Sequence, residues 1–326
     1  MTMSKAIVQE AQGGPEMMVW REQPLAAPGE GQVTVRHTAI GVNFIDIYVR
    51  KGAYPMMTLP GTPGMEAAGV VEAIGPGVSD LATGQRVAYV MTAPGAYSER
   101  RNVPAGRMVP LPDDIDDRTA AALMLKGMTA ERLLHKTDRA VAGDTVLIHA
   151  AAGGVGSLMT SWAKGLGCTV IGTVGSDEKA SRVRDAGADH VIVGCRQNIA
   201  EHVARITNGK GCRLIYDGVG KDSFEASMQS VARFGHLISF GNASGPVPPV
   251  NIALLSPKCI ALSRPQIFPY IADRADLLTT AGNLFAAIRK GIVKAEIRRT
   301  FPLAEAAEAH RQLESRQTTG QLVLLP

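Results

Sequence analysis

With 326 residues, 45% of them apolar and 20% charged, the chain has the composition of a globular protein large enough for two domains. Its net charge, 34 − 30 = +4, is scattered, and Arg100-Arg101 and Arg298-Arg299 are only pairs, so a nucleic-acid-binding role is not expected. Four cysteines stand outside any Cys-x-x-Cys or zinc-ligand spacing, and no apolar run spans a bilayer, so free thiols, a cytoplasmic location, no membrane and no metal are expected.

The first 120 residues or so do not read as helix. Gln32 to Arg36 alternates polar and apolar, and Gly69 to Ile74 and Gln85 to Val90 are further strand candidates. Pro-Gly and Gly-Pro pairs punctuate them, which predicts a barrel-like β domain. One stretch, Gly41 to Arg50, reads as a polar and aromatic loop. With Tyr54 it offers Asn43, Asp46, Tyr48 and Arg50 near one place. An amide, a carboxylate and two phenols there suit a pocket for a planar oxygenated ligand.

From Ala120 to Leu134 the texture turns helical, with Gly127 as a possible break. Strands and helices then alternate. Strands are predicted at Val146–Ile148, Cys168–Val174, His190–Val193, Arg213–Asp217 and Gly235–Phe240. Helices are predicted at Ser157–Leu166, Ser176–Asp185, Ile199–Thr207 and Ser223–Ala232. Such alternation calls for a doubly wound parallel sheet in an α/β fold. Residues 121–264 are assigned to that domain, and 1–120 and 265–326 to the other. The last stretch holds helices at Asp273–Lys290 and Leu303–Leu313, a strand candidate at Glu296–Arg298, and a final strand at Gly320–Leu325. That strand is expected to return to the first domain.

Asp144-Thr-Val-Leu-Ile-His-Ala-Ala-Ala-Gly-Gly-Val-Gly156 organises the rest. A short apolar strand runs into a glycine turn and then an apolar helix, the opening unit of a dinucleotide-binding fold. Gly153 and Gly156 match the second and third glycines of the fingerprint, with Ala151 in place of the first. The bland alternative is a tight connection and nothing more. No Gly-Lys-Ser/Thr follows, which argues against a nucleoside-triphosphate loop. The second strand ends without the acid that would bind a ribose 2′-hydroxyl. Asp177 comes one residue into the next helix, where a carboxylate complements the helix dipole. Ser176, Lys179 and Arg182 suit a 2′-phosphate instead, so NADPH is the expected cofactor.

Together these motifs resemble the NADPH:quinone oxidoreductases related to zeta-crystallin, the zinc-free branch of the medium-chain dehydrogenase/reductase superfamily. The resemblance is carried by Ala39–Asp46, Gly64–Val71, Leu125–Ala130, His149–Gly156, Tyr216–Gly220, Phe240–Gly245 and Ser315–Gly320. It implies a GroES-like, mainly β catalytic domain, a Rossmann domain with the nicotinamide in the cleft between them, and a homodimer built through the Rossmann domain. By resemblance, Asn43, Asp46, Tyr48 and Tyr54 line the nicotinamide and quinone end, with Lys126 and Thr129 close by. Gly153, Gly154, Val155 and Gly156 hold the pyrophosphate, and Ser176 with Lys179 the 2′-phosphate. Phe240, Gly241, Asn242, Ala243, Arg264 and Arg316 complete the cofactor contacts. Zinc alcohol dehydrogenases of the superfamily place a cysteine and a histidine where this chain has Asn43 and Met65. The chain departs from close relatives at Gly194, where a tyrosine is common, and at Gly218, where a serine is common.

The expected reaction is NADPH-dependent reduction of a small-molecule quinone. Asn43, Tyr48 and Tyr54 would hydrogen-bond the quinone oxygen, and Asp46 would face the acceptor or only orient its loop. The alternatives are reduction of an activated alkene such as an enone, a non-catalytic NADPH- or RNA-binding protein, and a zinc alcohol dehydrogenase.

Overall fold

β1 (Thr2–Gln9) and β2 (Met18–Leu25) form an antiparallel pair at the start of the chain. The computed structural model describes residues 2–194, 198–315 and 319–326. β3 (Gln32–Gly41) follows, then the helix α1 (Phe44–Arg50), β4 (Glu66–Ile74), β5 (Arg86–Val90), β6 (Arg100–Pro104) and β7 (Val109–Pro110). α2 (Asp117–Arg132) leads into an alternating run: β8 (Thr145–Ile148), α3 (Gly154–Gly165), β9 (Thr169–Val174), α4 (Asp177–Asp185), β10 (His190–Val193), α5 (Ile199–Ile206), β11 (Cys212–Asp217), α6 (Phe224–Ser230) and β12 (Val231–Ser239). The chain closes with β13 (Ala261–Ser263), α7 (Ile267–Tyr270), α8 (Arg274–Arg289), β14 (Ile297–Pro302), α9 (Ala306–Glu314) and β15 (Gln321–Leu325).

Two units emerge. One comprises Met1–Lys126, Ile271–Phe285 and Ala295–Pro326, the other Gly127–Tyr270 and Ala286–Lys294. In the first, a seven-stranded sheet runs β14-β15-β3-β4-β5-β7, with β6 also on β3. The terminal strand β15 lies antiparallel to β3, pairing Val323 with Gly41 and Leu324 with Ile40. Alternating apolar residues face inward: Val33 and Val35 of β3 pack with Val71, Val87, Tyr89, Phe301 and Leu322. In the second unit all six strands are parallel, ordered β10-β9-β8-β11-β12-β13. The order reverses between β8 and β11, and that switch point is where a doubly wound Rossmann sheet takes its ligand.

Four local expectations need correction. Gly41–Arg50 is not a loop. Asn43 is extended, and Phe44–Arg50 is helical. Its alternating β-branched residues hide a helix whose start is capped from within, because the Asp46 carboxylate accepts the Asn43 N–H at 2.8 Å. Gly127 does not break α2; buried Leu123, Met124 and Met128 hold the helix through it at a propensity cost of about 1 kcal/mol. The helix expected to reach Ala232 stops at Ser230, because buried Val231 joins the sheet opposite Cys212. β12 then makes an irregular excursion through Phe234, at φ 59°, before His236 rejoins the ladder. The helix expected at Leu303–Leu313 begins as a short 3-10 turn, Leu303–Glu305, and becomes α-helical only from Ala306.

Candidate active site

The glycine turn follows β8 at the switch point. Ala150 sits in the left-handed region at φ 50°, an uncommon conformation for a residue with a Cβ. Its carbonyl accepts the Gly153 N–H at 2.8 Å and closes the turn. A Cβ on Gly156 would lie well inside van der Waals distance of that same carbonyl oxygen, so only glycine lets α3 start here. As the first residues of α3, Gly154, Val155 and Gly156 have no carbonyl one turn back to receive their N–H groups. Three outward amides at the positive end of a helix fit a pyrophosphate. One turn of sheet away, Ser176 caps α4 with its backbone carbonyl and keeps an exposed side chain, and Lys179 sits half-buried in the first turn. Hydroxyl and ammonium thus share one helix start.

Beneath the turn lies a buried polar network absent from the sequence reading. His149 contacts Thr173 Oγ1 through Nδ1 at 3.2 Å and Ser227 Oγ through Nε2 at 2.9 Å. Ser227 reaches Asp217 Oδ2 at 2.9 Å, and Asp217 also accepts from Ser223 Oγ and from the Val219 and Gly220 amides. Burial holds His149 below the usual histidine range, against the pull of Asp217. A hydroxyl has one proton, and Ser227 gives it to the carboxylate, so neutral His149 donates from Nε2. The network welds the ends of β8, β9 and β11 to α6 and fixes the loop carrying Gly218. The Phe240 ring leans over Gly218, close enough that a Cβ there would sit 2.9 Å from it. Phe240 and Gly241 donate backbone N–H groups to Asp217 O. Arg264 clamps the Ser239 and Gly241 carbonyls at 3.0 and 2.9 Å, so part of its guanidinium holds the loop Phe240, Gly241, Asn242, Ala243 in shape. Arg316 lies outside the described residues.

In the first unit, Asn43 is buried and its Nδ2 donates to Glu66 Oε1 at 2.7 Å. Glu66, fully buried at the start of β4, also accepts the Leu125 N–H at 2.6 Å and pairs with Lys126 Nζ at 3.6 Å. Burial pushes its carboxyl up, and Lys126, Asn43 and Leu125 oppose that. Lys126 Nζ donates its other bond to Val42 O at 3.1 Å and keeps a tenth of its side chain exposed. Glu66 is the residue sequence reasoning missed. A lone Glu opening an apolar strand gives no signal of its own; its only trace is Gly41, where a Cβ would collide with the Glu66 carboxylate. Tyr48 and Tyr54 come together, both half-buried, with ring centroids 5.1 Å apart. Thr129 is half-buried on α2.

Of the two expectations for Asp46, the structure has the geometry of the second, a carboxylate that orients its own segment. Asp46 is fully buried, accepting from the Asn43 N–H at 2.8 Å and Tyr97 Oη at 3.1 Å. A group facing an acceptor needs an open side, and Asp46 has none, so it orients α1 instead. Burial is the main cause lifting its carboxyl to about 7; the Asn43 N–H opposes it and the Glu66 charge adds to it. Among the described residues, no group of three or more His, Cys, Asp or Glu is gathered to hold a metal ion. Nor is any helix long and apolar enough to cross a membrane.

Comparison with known proteins covers the whole chain. Residues 29–113 match the alcohol dehydrogenase GroES-like domain family, and residues 154–273 the zinc-binding dehydrogenase family. A quinone oxidoreductase of Pseudomonas aeruginosa is 47% identical over 99% of this chain and 100% of its own. A 2-haloacrylate reductase of a Burkholderia species is 44% identical, with 99% of both covered. The crystal structure of Escherichia coli quinone oxidoreductase complexed with NADPH superposes with a TM-score of 0.95 at 41% identity, covering 99% of this chain and 100% of that one.

Proposed function

The chain belongs to the quinone oxidoreductase family, the zinc-free branch of the medium-chain dehydrogenases/reductases, and on that premise we propose that it reduces a quinone at the expense of NADPH. The observation that carries this reading is the glycine turn at the sheet's switch point, with a free row of amides behind it and Ser176 with Lys179 at the next helix start. The amides of Gly154, Val155 and Gly156 hold the pyrophosphate, and Gly153 leaves room for it. Ser176 and Lys179 take the 2′-phosphate. Phe240 to Ala243, braced by Arg264, and Thr129 complete the cofactor contacts.

NADPH, when bound, supplies the hydride. The chain's own residues align the acceptor and meet the charge that builds on its oxygen. Asn43, held by Glu66, and the paired phenols Tyr48 and Tyr54 face that oxygen. Lys126, with two of its three N–H bonds committed to Val42 O and Glu66, leaves the third for the same charge. Water completes protonation. Oxidation of NADPH followed at 340 nm with 1,4-benzoquinone tests the reading, and no rate with any quinone overturns it.

A second reading, reduction of an activated alkene, is favoured by the 44% identity to a 2-haloacrylate reductase. The same donor and hydrogen-bonding groups serve it. Turnover of an enone or haloacrylate without turnover of quinones would select it.

The enzyme works as a cytoplasmic homodimer joined through the second unit. Support comes from β13, which ends the parallel sheet, and from Phe234, Ile252 and Leu254, which are exposed nearby in sequence. Cys168, Cys212 and Cys259 are free thiols, in keeping with a reducing compartment. Light scattering of the purified protein reads the dimer directly.

A further inference from the structure

Helix α1 carries the cap residue Asn43 at one end and Arg50 at the other. Arg50 is fully buried, a costly place for a guanidinium unless every donor is used. Nε donates to Gly13 O at 3.1 Å, one terminal nitrogen to His310 Nδ1 at 3.0 Å, and the other to Glu314 Oε2 at 2.9 Å. A guanidinium cannot accept, so His310 Nδ1 carries no proton. The ring is neutral, because burial, reinforced by the Arg50 charge, holds it down to about 3. Its one proton is therefore on Nε2, which lies 2.9 Å from Tyr97 Oη and donates to it. Tyr97 must then send its own proton onward, to Asp46 Oδ2 at 3.1 Å. The chain has a single direction: Arg50, His310, Tyr97, Asp46. At its end the same Asp46 oxygen accepts the Asn43 N–H, and the second oxygen, Oδ1, is buried with no hydrogen-bond partner among the described residues.

We infer that Tyr97 and His310 are positioning residues of the redox site: the directed chain from Arg50 aims a hydroxyl proton at the Asp46 carboxylate, which in turn holds Asn43 in place for the acceptor. The inference rests on the quinone-reductase reading only in that last clause. Asp46 faces Tyr97, Glu66 of β4, whose like charge opposes its ionisation, and Lys126 of α2, whose charge favours it. His310, Arg50 and Glu314 stand further along the chain. When Asp46 takes up a proton, it loses its charge-assisted grip on the two donors, and Asn43 loosens. Turnover therefore rises as Asp46 ionises. Removing the Tyr97 hydroxyl strips one donor from the charged form and moves that ionisation to higher pH.

The experiment is an isotope-edited infrared titration of the full-length protein labelled with 13C-aspartate. The band of protonated Asp46 is identified by its loss in Asp46→Asn. The wild type should titrate near pH 7 and Tyr97→Phe about one pH unit higher. His310→Leu, which can neither accept from Arg50 nor donate to Tyr97, should raise the midpoint as Tyr97→Phe does, and His310→Gln, which can do both, should bring it back to the wild-type value; a midpoint that His310→Leu leaves in place removes His310 from the chain. The pH profile of kcat with a quinone should follow the same midpoints while the KM for NADPH stays put. A midpoint unmoved by Tyr97→Phe overturns the directed chain. Midpoints that move while the kcat profile does not overturn the positioning of Asn43. If the wild type turns over no quinone, the quinone reading falls by itself and the infrared midpoints still decide the chain.

Discussion

Asn43 Nδ2 and Glu66 Oε1 lie 2.7 Å apart, both buried, and this bond decides what Asn43 can offer a substrate. Both Glu66 oxygens accept, one of them from the amide nitrogen of Asn43, so that nitrogen faces Glu66 and the carboxamide plane is set. The other Glu66 oxygen takes the Leu125 N–H at 2.6 Å, which ties the same carboxylate to α2 beside Lys126.

Glu66→Gln should therefore damage catalysis more than cofactor binding. With its oxygen kept on the Leu125 N–H, the new amide turns its NH2 toward the Asn43 NH2, and either the two donors oppose each other, leaving a buried group unpaired at a cost of about 1–3 kcal/mol, or the Asn43 amide turns over and presents a different edge to the acceptor. A kcat at least tenfold lower with a nearly unchanged KM for NADPH is expected. Steady-state kinetics alongside thermal melts check it; wild-type kcat in Glu66→Gln would remove Glu66 from the site.

At the glycine turn, Gly156→Ala should fail through geometry alone. The added Cβ runs into the Ala150 carbonyl, and Ala150 is already in the left-handed region. The turn must open, and the α3 amides lose their alignment. NADPH affinity measured by fluorescence titration should fall about a hundredfold, on the order of 3 kcal/mol. Undiminished affinity would mean that the cofactor lies elsewhere.

Lys179→Ala tests the cofactor preference. Loss of one charged contact to a 2′-phosphate should raise the KM for NADPH about tenfold and leave that for NADH alone. An equal effect on both cofactors would show that Lys179 acts on the fold, not the phosphate.

Stability should carry two opposing pH dependences. Asp46 is raised from 3.8 to about 7, so between these values the unfolded chain ionises while the folded one keeps its proton. Its contribution is whole below pH 4 and is lost as pH rises to 7, by up to about 1.4 kcal/mol per unit. His37 and His310 are lowered from 6.5 to about 3, and burial is the first cause in both. The unfolded chain binds those protons first, so their contribution is whole above 6.5 and is lost as pH falls toward 3. Urea unfolding of the wild type against Asp46→Asn separates the two. The difference between them should fall from pH 4 to 7, and a flat difference would put Asp46 at an ordinary value.

The second unit was legible because each of its strands pays no heed to distant residues: short apolar runs such as Val146–Ile148, set between turn and helix signals, mark themselves. The glycine turn was legible for the same reason, since the pyrophosphate chemistry is written into consecutive residues. The first-unit site was not. Its helix α1 is held by Asp46 and by Arg50, whose partners Tyr97, His310 and Glu314 come from loops and a helix far along the chain. β-Branched Ile45, Ile47 and Val49 argue against a helix locally, and tertiary burial overrides them. Glu66 and the His149 network stayed hidden because a buried polar residue announces itself only through its neighbours.

The central claim is transfer of reducing equivalents from NADPH to a quinone, and the most direct measurement is the initial rate at 340 nm with NADPH and NADH in parallel, against 1,4-benzoquinone, 9,10-phenanthrenequinone and an enone. The account predicts rapid oxidation of NADPH with the quinones, slower oxidation of NADH, and little with the enone. Oxidation with the enone alone, or tight NADPH binding with no turnover of any acceptor, would contradict it.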